Sequence, residues 1–191
     1  VDHHYQFIDW QHSVIPFPTP GEPDEDFEHL GLLKSNIFNV GLTIGLDDYW
    51  NITLSQAVGE RCMEWEGDQE SAHHRTECSS SDYNNAVGGY LGDARINVKY
   101  ILENQGKGIG DRIFFGGGLV IPSNNTLTKN PYIVEPGDDG NDHFLDHRHF
   151  YLSDGAYKLF FESQFFRKRA NFPVFWGGSF NMEYPLEENK Y

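Results

Sequence analysis

The chain has 191 residues, 29 of them acidic and 14 basic for a formal charge of −15; 15% are aromatic although only 38% are hydrophobic. No basic stretch is available to neutralise phosphates, which excludes nucleic acid as a partner. No run approaches the roughly 20 apolar residues of a membrane-spanning helix either. Few apolar residues but many aromatic ones suit a protein with one apolar surface and one wet surface.

Residues 1–35, punctuated by Pro16, Pro18, Pro20 and Pro23, read as an extended N-terminal arm. From Asn36 the hydrophobic period becomes two, the signature of strands. Phe38, Val40, Leu42, Ile44 and Leu46 share one face of residues 36–46, opposite Asn39, Gly41, Thr43 and Gly45. Asp47-Asp48 turns the chain into residues 49–58, where Trp50, Ile52 and Leu54 alternate with Asn51, Thr53 and Ser55. Two alternating runs joined by a short link predict a hairpin. After a long loop, 59–91, the pattern resumes in residues 93–103, with Ala94, Ile96, Val98, Tyr100 and Leu102 against Arg95, Asn97 and Lys99. The Gly-rich turn 105–110 leads into 111–121, where Ile113, Phe115, Leu119 and Ile121 share a face. A second long loop, 122–153, precedes a strand over 155–168 with Tyr157, Leu159, Phe161 and Phe165 opposite Lys158, Glu162 and Gln164. A turn around Arg169-Ala170-Asn171 returns the chain into a last strand bearing Trp176, Phe180, Met182 and Tyr184.

These six strands, each of about ten residues or more, exceed the length of about 5–6 residues usual in soluble sheets and match tilted transmembrane strands. Connections alternate short and long, as in outer-membrane barrels. The expected fold is therefore all-β: antiparallel up-and-down hairpins over 36–191 forming an outer-membrane β-barrel or part of one, with a soluble β-sandwich as the alternative. Six strands are too few to close such a barrel, and the polar stretch 185–190 reads as the opening of another loop, so a longer chain is expected. In the barrel reading Arg95, Asn97, Lys99, Lys158, Glu162 and Gln164 line the lumen. Cys62 and Cys78 are expected to form a disulfide, closing a loop worth roughly 3 kcal/mol by chain entropy and indicating an oxidising compartment.

The stretch from Gly88 to Ser123 resembles a family of bacterial outer-membrane barrels associated with the meta-pathway of phenol degradation. The residues that carry this are Gly92-Asp93 opening a strand that contains Lys99-Tyr100, then Phe114-Phe115-Gly116-Gly117-Gly118-Leu119-Val120-Ile121-Pro122. Ser123-Asn124 stands where the family usually has Thr-Gly. The resemblance implies an outer-membrane channel for small solutes, aromatic ones among them, and carries no catalytic residues.

The long loops hold the remaining chemistry. His143, His147 and His149 with Asp142 and Asp146 could ligate zinc or copper, joined by His73 and His74 if the loops converge. The oxygen-rich run 138–142 could ligate calcium, although it lacks the full EF-hand pattern. No G-x-S-x-G elbow, P-loop, HExxH or dinucleotide fingerprint is present, so no catalytic residue is nominated and the chain is read as a non-enzyme without a cofactor beyond such a loop-bound Ca or Zn. The expected function is a passive channel at the bacterial outer membrane, in contact with its lipid bilayer and with small-molecule solutes. The alternatives are a secreted β-sandwich binding module for carbohydrate or metal, and a structural subunit of a surface assembly or homo-oligomer completed through unpaired sheet edges.

Overall fold

The computed structural model describes residues 1–12, 29–66, 76–104, 108–131, 148–170 and 175–188. Among them there is no helix. The strands are β1 (Asp2–His12), β2 (His29–Gly45), β3 (Trp50–Glu66), β4 (Glu77–Cys78), β5 (Leu91–Asn104), β6 (Gly110–Ile121), β7 (Lys158–Lys168) and β8 (Phe175–Pro185). Every pairing is antiparallel, in the order β1-β2-β3-β5-β6-β7-β8, with the short β4 added to β3, and the sheet curls into a half-barrel. The six strands read from alternation all form. At the first hairpin Asp47 Oδ1 accepts from the backbone N–H groups of Tyr49 and Trp50, each at 2.7 Å, while Leu46 N donates to Trp50 O at 2.8 Å.

The N-terminal region departs from the sequence reading. Residues 2–12 are not a separate arm but a strand of the sheet, pairing with β2 from Asp2↔Asn39 onward. Strands β2 and β3 also run on beyond the expected boundaries, so that Leu30↔Glu66 is still a backbone pair and the loop expected over 59–91 begins only after Glu66. The reason is physical. Period-two contrast arises where the two faces meet different media, and residues 30–36 carry Leu30, Leu32 and Leu33 on both faces, which hides the strand.

The register sorts the side chains into two faces. Phe38, Val40, Leu42 and Ile44 lie with Trp50, Ile52 and Leu54, then with Ile96, Val98 and Tyr100, Leu119 and Phe115, Leu159 and Phe161, and Met182 and Tyr184. This face is convex, because its side chains splay apart: Leu42, Leu54, Phe161, Phe180 and Met182 are all exposed. The opposite face is concave, because side chains meet across it from strands that are not neighbours. Arg95 on β5 reaches Glu183 on β8 at 2.5 Å, although three strand spacings would separate them by about 14 Å in a flat sheet.

Only Ala86, Val120, Leu127 and Ala156 are buried apolar side chains among the described residues. Burial is instead concentrated in a polar assembly at the loop end of the sheet, made by residues 76–90, 122–130 and 148–156. Arg148 is its centre, fully buried. Its guanidinium donates to Ser79 O at 2.5 Å, Ser81 O at 3.2 Å, Val87 O at 2.9 Å and Asn125 Oδ1 at 3.2 Å. Asn85 exchanges two bonds with the Arg148 backbone, at 2.8 and 2.7 Å. Burial draws the guanidinium pKa below its ordinary value, opposed by the nearby charge of Glu77. A planar fork with several donors reaches all four acceptors at once, which a compact ammonium could not.

Candidate functional site: the concave face

The six nominated lumen residues all lie on or beside the concave face of β5 and β7, and the structure joins most of them. Lys99 Nζ contacts Glu162 Oε1 at 2.7 Å, and Asn97 Nδ2 donates to the same oxygen at 2.8 Å. Gln164 reaches Glu162 Oε2 at 3.4 Å. Glu162 is only 8% exposed. Toward the loop end, Arg95 pairs with Glu183 and holds its guanidinium 5.7 Å from the Phe160 ring centroid. Lys158 pairs with Asp154 and lies 3.8 Å from Glu183 Oε2. Asp154 and Phe160 escaped the sequence reading, and Glu183 is not among the nominated lumen residues. Glu183 is visible there as a polar position in the last strand, but no sequence signal pairs it with a residue 88 positions earlier.

The contacts of Lys99 and Asn97 with Glu162 cross β6, and that of Arg95 with Glu183 crosses β6 and β7; glycines of β6 lie under the crossing. The register rows are Lys99↔Gly116↔Glu162 and Asn97↔Gly118↔Phe160. A Cβ on Gly116 would stand 2.9 Å from Glu162 Oε1 and 3.1 Å from Asn97 Oδ1, in the space the carboxylate uses. A Cβ on Gly118 would collide with the backbone carbonyl of Ile96, so a close backbone approach requires glycine there. Gly116 thus leaves the space in which β5 and β7 side chains meet, while Gly118 admits the close backbone of β5.

Arg112 on β6 and Lys168 on β7 share this face near the turn end, whereas the turn-side half of β2 and β3 is neutral. Asn39 and Thr43 on β2 face Asn51, Thr53 and Ser55 on β3, with the Thr43 and Thr53 hydroxyls 2.8 Å apart. Near the turn end, Phe114 and Phe166 meet edge to face at 6.4 Å.

The convex face has a defined height. In β8 its apolar run extends from Trp176 to Tyr184 and in β2 from Phe38 to Leu46, while in β3 the run Trp50 to Leu54 is followed by Gln56 and then Val58. Eight steps along a strand tilted by about 40° rise roughly 20 Å, close to the ~25 Å apolar band of outer-membrane barrels. Aromatic rings cluster at the turn-side limit: Trp50 with Tyr100 at 4.7 Å, Tyr49 with Tyr100 at 6.2 Å, and Phe165 with Trp176 at 5.6 Å. At the loop side stand Tyr184, Tyr157 and Phe38, the last stacked on His3 at 4.3 Å. Beyond this limit the same face of β2 and β3 turns polar, with Lys34 bonded to Glu64 at 2.7 Å.

The cysteines form the expected disulfide, Cys62–Cys78, which ties β4 to the extension of β3. Glu60 lies beside both sulfurs, the one group of potential metal ligands that close together among the described residues. With both sulfurs in the disulfide it is no metal site. Of the nominated metal ligands, His149 is bonded to buried Glu77, its Nδ1 3.0 Å and its backbone N 3.2 Å from Oε1. Asp142, His143, Asp146, His147, His73, His74 and the run 138–142 lie outside the described residues. No protein-family model, no curated protein and no solved structure matches the chain.

Proposed function

We propose that the sheet is wall of an outer-membrane β-barrel that acts as a passive channel for small solutes, aromatic ones among them, as the resemblance of 88–123 implies. The observation that carries this reading is the convex face. An apolar band, bounded by aromatic rings at both limits, lies exposed while only four apolar side chains among the described residues are buried. In water such a surface would drive aggregation; against acyl chains it is the surface expected. The concave face, with its charges and amides, supplies the wet interior that the same architecture needs.

In this orientation the tight turns face the periplasm. The polar extensions of β2 and β3, the disulfide and the Arg148-centred loop assembly face the exterior, an oxidising setting suited to a disulfide. The outer edges of β1 and β8 are not hydrogen-bonded to each other among the described residues. Open edges are not tolerated in lipid, so closure comes from further strands or from another copy of the chain.

The test is membrane extraction followed by planar-bilayer recording. The reading expects the protein in detergent-extracted outer membrane and stepwise conductance after reconstitution. Recovery of folded protein from the soluble fraction without detergent would overturn it.

A further inference from the structure

We propose that residues 148–156 form a fixed strap across the concave face at the loop end and set the upper size of solute that enters there. This rests on the channel reading above. Contacts with successive strands lay the strap over their inner surface. The register puts Arg61, which pairs with Ser35, and Glu77, which pairs with Met63, on the concave side. Glu77 Oε1 accepts from His149 N at 3.2 Å, and Arg61 Nη1 donates to Tyr151 O at 3.1 Å. At the start of β5 a Cβ on Gly92 would stand 3.3 Å from Leu152 O, and Ser153 hydrogen-bonds the Asp93 carboxylate. Asp154 then pairs with Lys158 of β7. Between His149 and Asp154 the strap therefore passes from β4 over β3 and β5 to β7.

Burial along the concave face follows the strap. Asn39 and Thr43, toward the turn end of β2, are exposed, whereas Ser35 at the loop end is 1% exposed. On β6 Val120 is fully buried at the same end. The strap is held rather than poised to move. Arg148 anchors its start, Leu152 N and Ser153 N donate to Asn125 Oδ1 and O at 3.1 and 3.0 Å, and Ala156 is buried at its end. Gly155 turns the chain toward β7 with a φ of +76°, and a Cβ there would stand 3.0 Å from Thr126 Oγ1, so the turn requires glycine. A segment whose backbone groups are bonded in place narrows a lumen permanently, and pore diameter then decides which solutes pass. The narrowing belongs to the loop end alone, since the turn-side half of the same face stays exposed.

The experiment uses the full chain in planar bilayers, with polyethylene glycols of graded mass added to one side at a time. A polymer that enters the pore lowers its conductance, and one that is excluded does not. The cut-offs from the two sides should differ at least about twofold in mass, the smaller belonging to the loop side, because a segment packed on a sheet face takes up about 10 Å of the lumen. Arg148→Met releases the anchor of the strap; conductance should rise about twofold and the two cut-offs should converge as that layer is lost. Retained β-sheet circular dichroism in vesicles establishes that the variant folds, and the wild-type asymmetry tests the proposal without any substitution. Equal cut-offs from the two sides of the wild type overturn the inference and leave the channel reading standing. A folded Arg148→Met channel that keeps the wild-type conductance and both cut-offs does the same. Absence of any conductance overturns the channel reading itself.

Discussion

Leu42 and Leu46 offer a direct discrimination between a lipid-facing and a water-facing convex surface. Both lie on the first hairpin, and their exposures are nearly equal, 60% and 61%. Leu42 sits midway along the apolar run of β2, paired with Leu54, whereas Leu46 ends it beside the turn. If the surface meets water, arginine at either position should change stability by no more than about 0.5 kcal/mol, as at ordinary surface sites. If it meets lipid, Leu42→Arg places a cation near the bilayer midplane at a cost of about 2–4 kcal/mol, and Leu46→Arg places it near the interface at about 0–1 kcal/mol. The expected difference of about 2–3 kcal/mol is a factor of roughly 30–150 in the folding equilibrium. The assay is reversible urea unfolding of the full chain from phospholipid vesicles, followed by tryptophan fluorescence. Two variants agreeing within about 0.5 kcal/mol would refute the assignment of the convex face to lipid.

Other perturbations probe the loop assembly and the glycines of the sheet. Replacing Cys62 and Cys78 by serine should lower stability by about 3 kcal/mol, and limited proteolysis should cut between them first if the disulfide anchors that loop. Arg148→Met removes the guanidinium donors of the Ser79, Ser81 and Val87 carbonyls, of which Ser79 O keeps Asn125 Nδ2 at 2.7 Å. At about 1–3 kcal/mol for each acceptor left unsatisfied, faster hydrogen exchange should appear across residues 79–90 and not in β7. Arg148→Lys should rescue little of this, since one ammonium cannot span the same acceptors. Gly118→Ala should destabilise by about 3 kcal/mol because its Cβ meets the Ile96 carbonyl. Gly45→Ala, with open space around the added Cβ, should be neutral or stabilising by up to about 1 kcal/mol; chemical denaturation distinguishes the two.

The sequence by itself determined the strands and their faces wherever two different media flank them. Phe38 to Leu46 and Trp50 to Leu54 alternate because each residue step reverses the side chain between an apolar and a polar surround, and that periodicity is local information. The disulfide was legible for a similar reason, since two cysteines a loop apart in an acidic, exported-looking chain have each other as partner. Where both faces meet similar surroundings the signal vanished. Strand β1 and the first turn of β2 mix His, Asp, Tyr and Leu without contrast, and they are strands because β2 and β3 supply backbone partners, which is a property of the sheet.

The site divides along the same line. Arg95, Lys99 and Glu162 could be placed on a wet face from alternation alone, but their partners could not be named. Only curvature brings Arg95 to Glu183 across two strands and Lys99 to Glu162 across one, and only the register sets Gly116 between Lys99 and Glu162. Arg148 carries no distinguishing sequence context, yet its guanidinium joins its own segment to the carbonyls of residues 79–87 and to Asn125 Oδ1. Local alternation follows from the two-residue repeat of the strand; long-range pairing follows from how the strands curl, and that is decided in three dimensions.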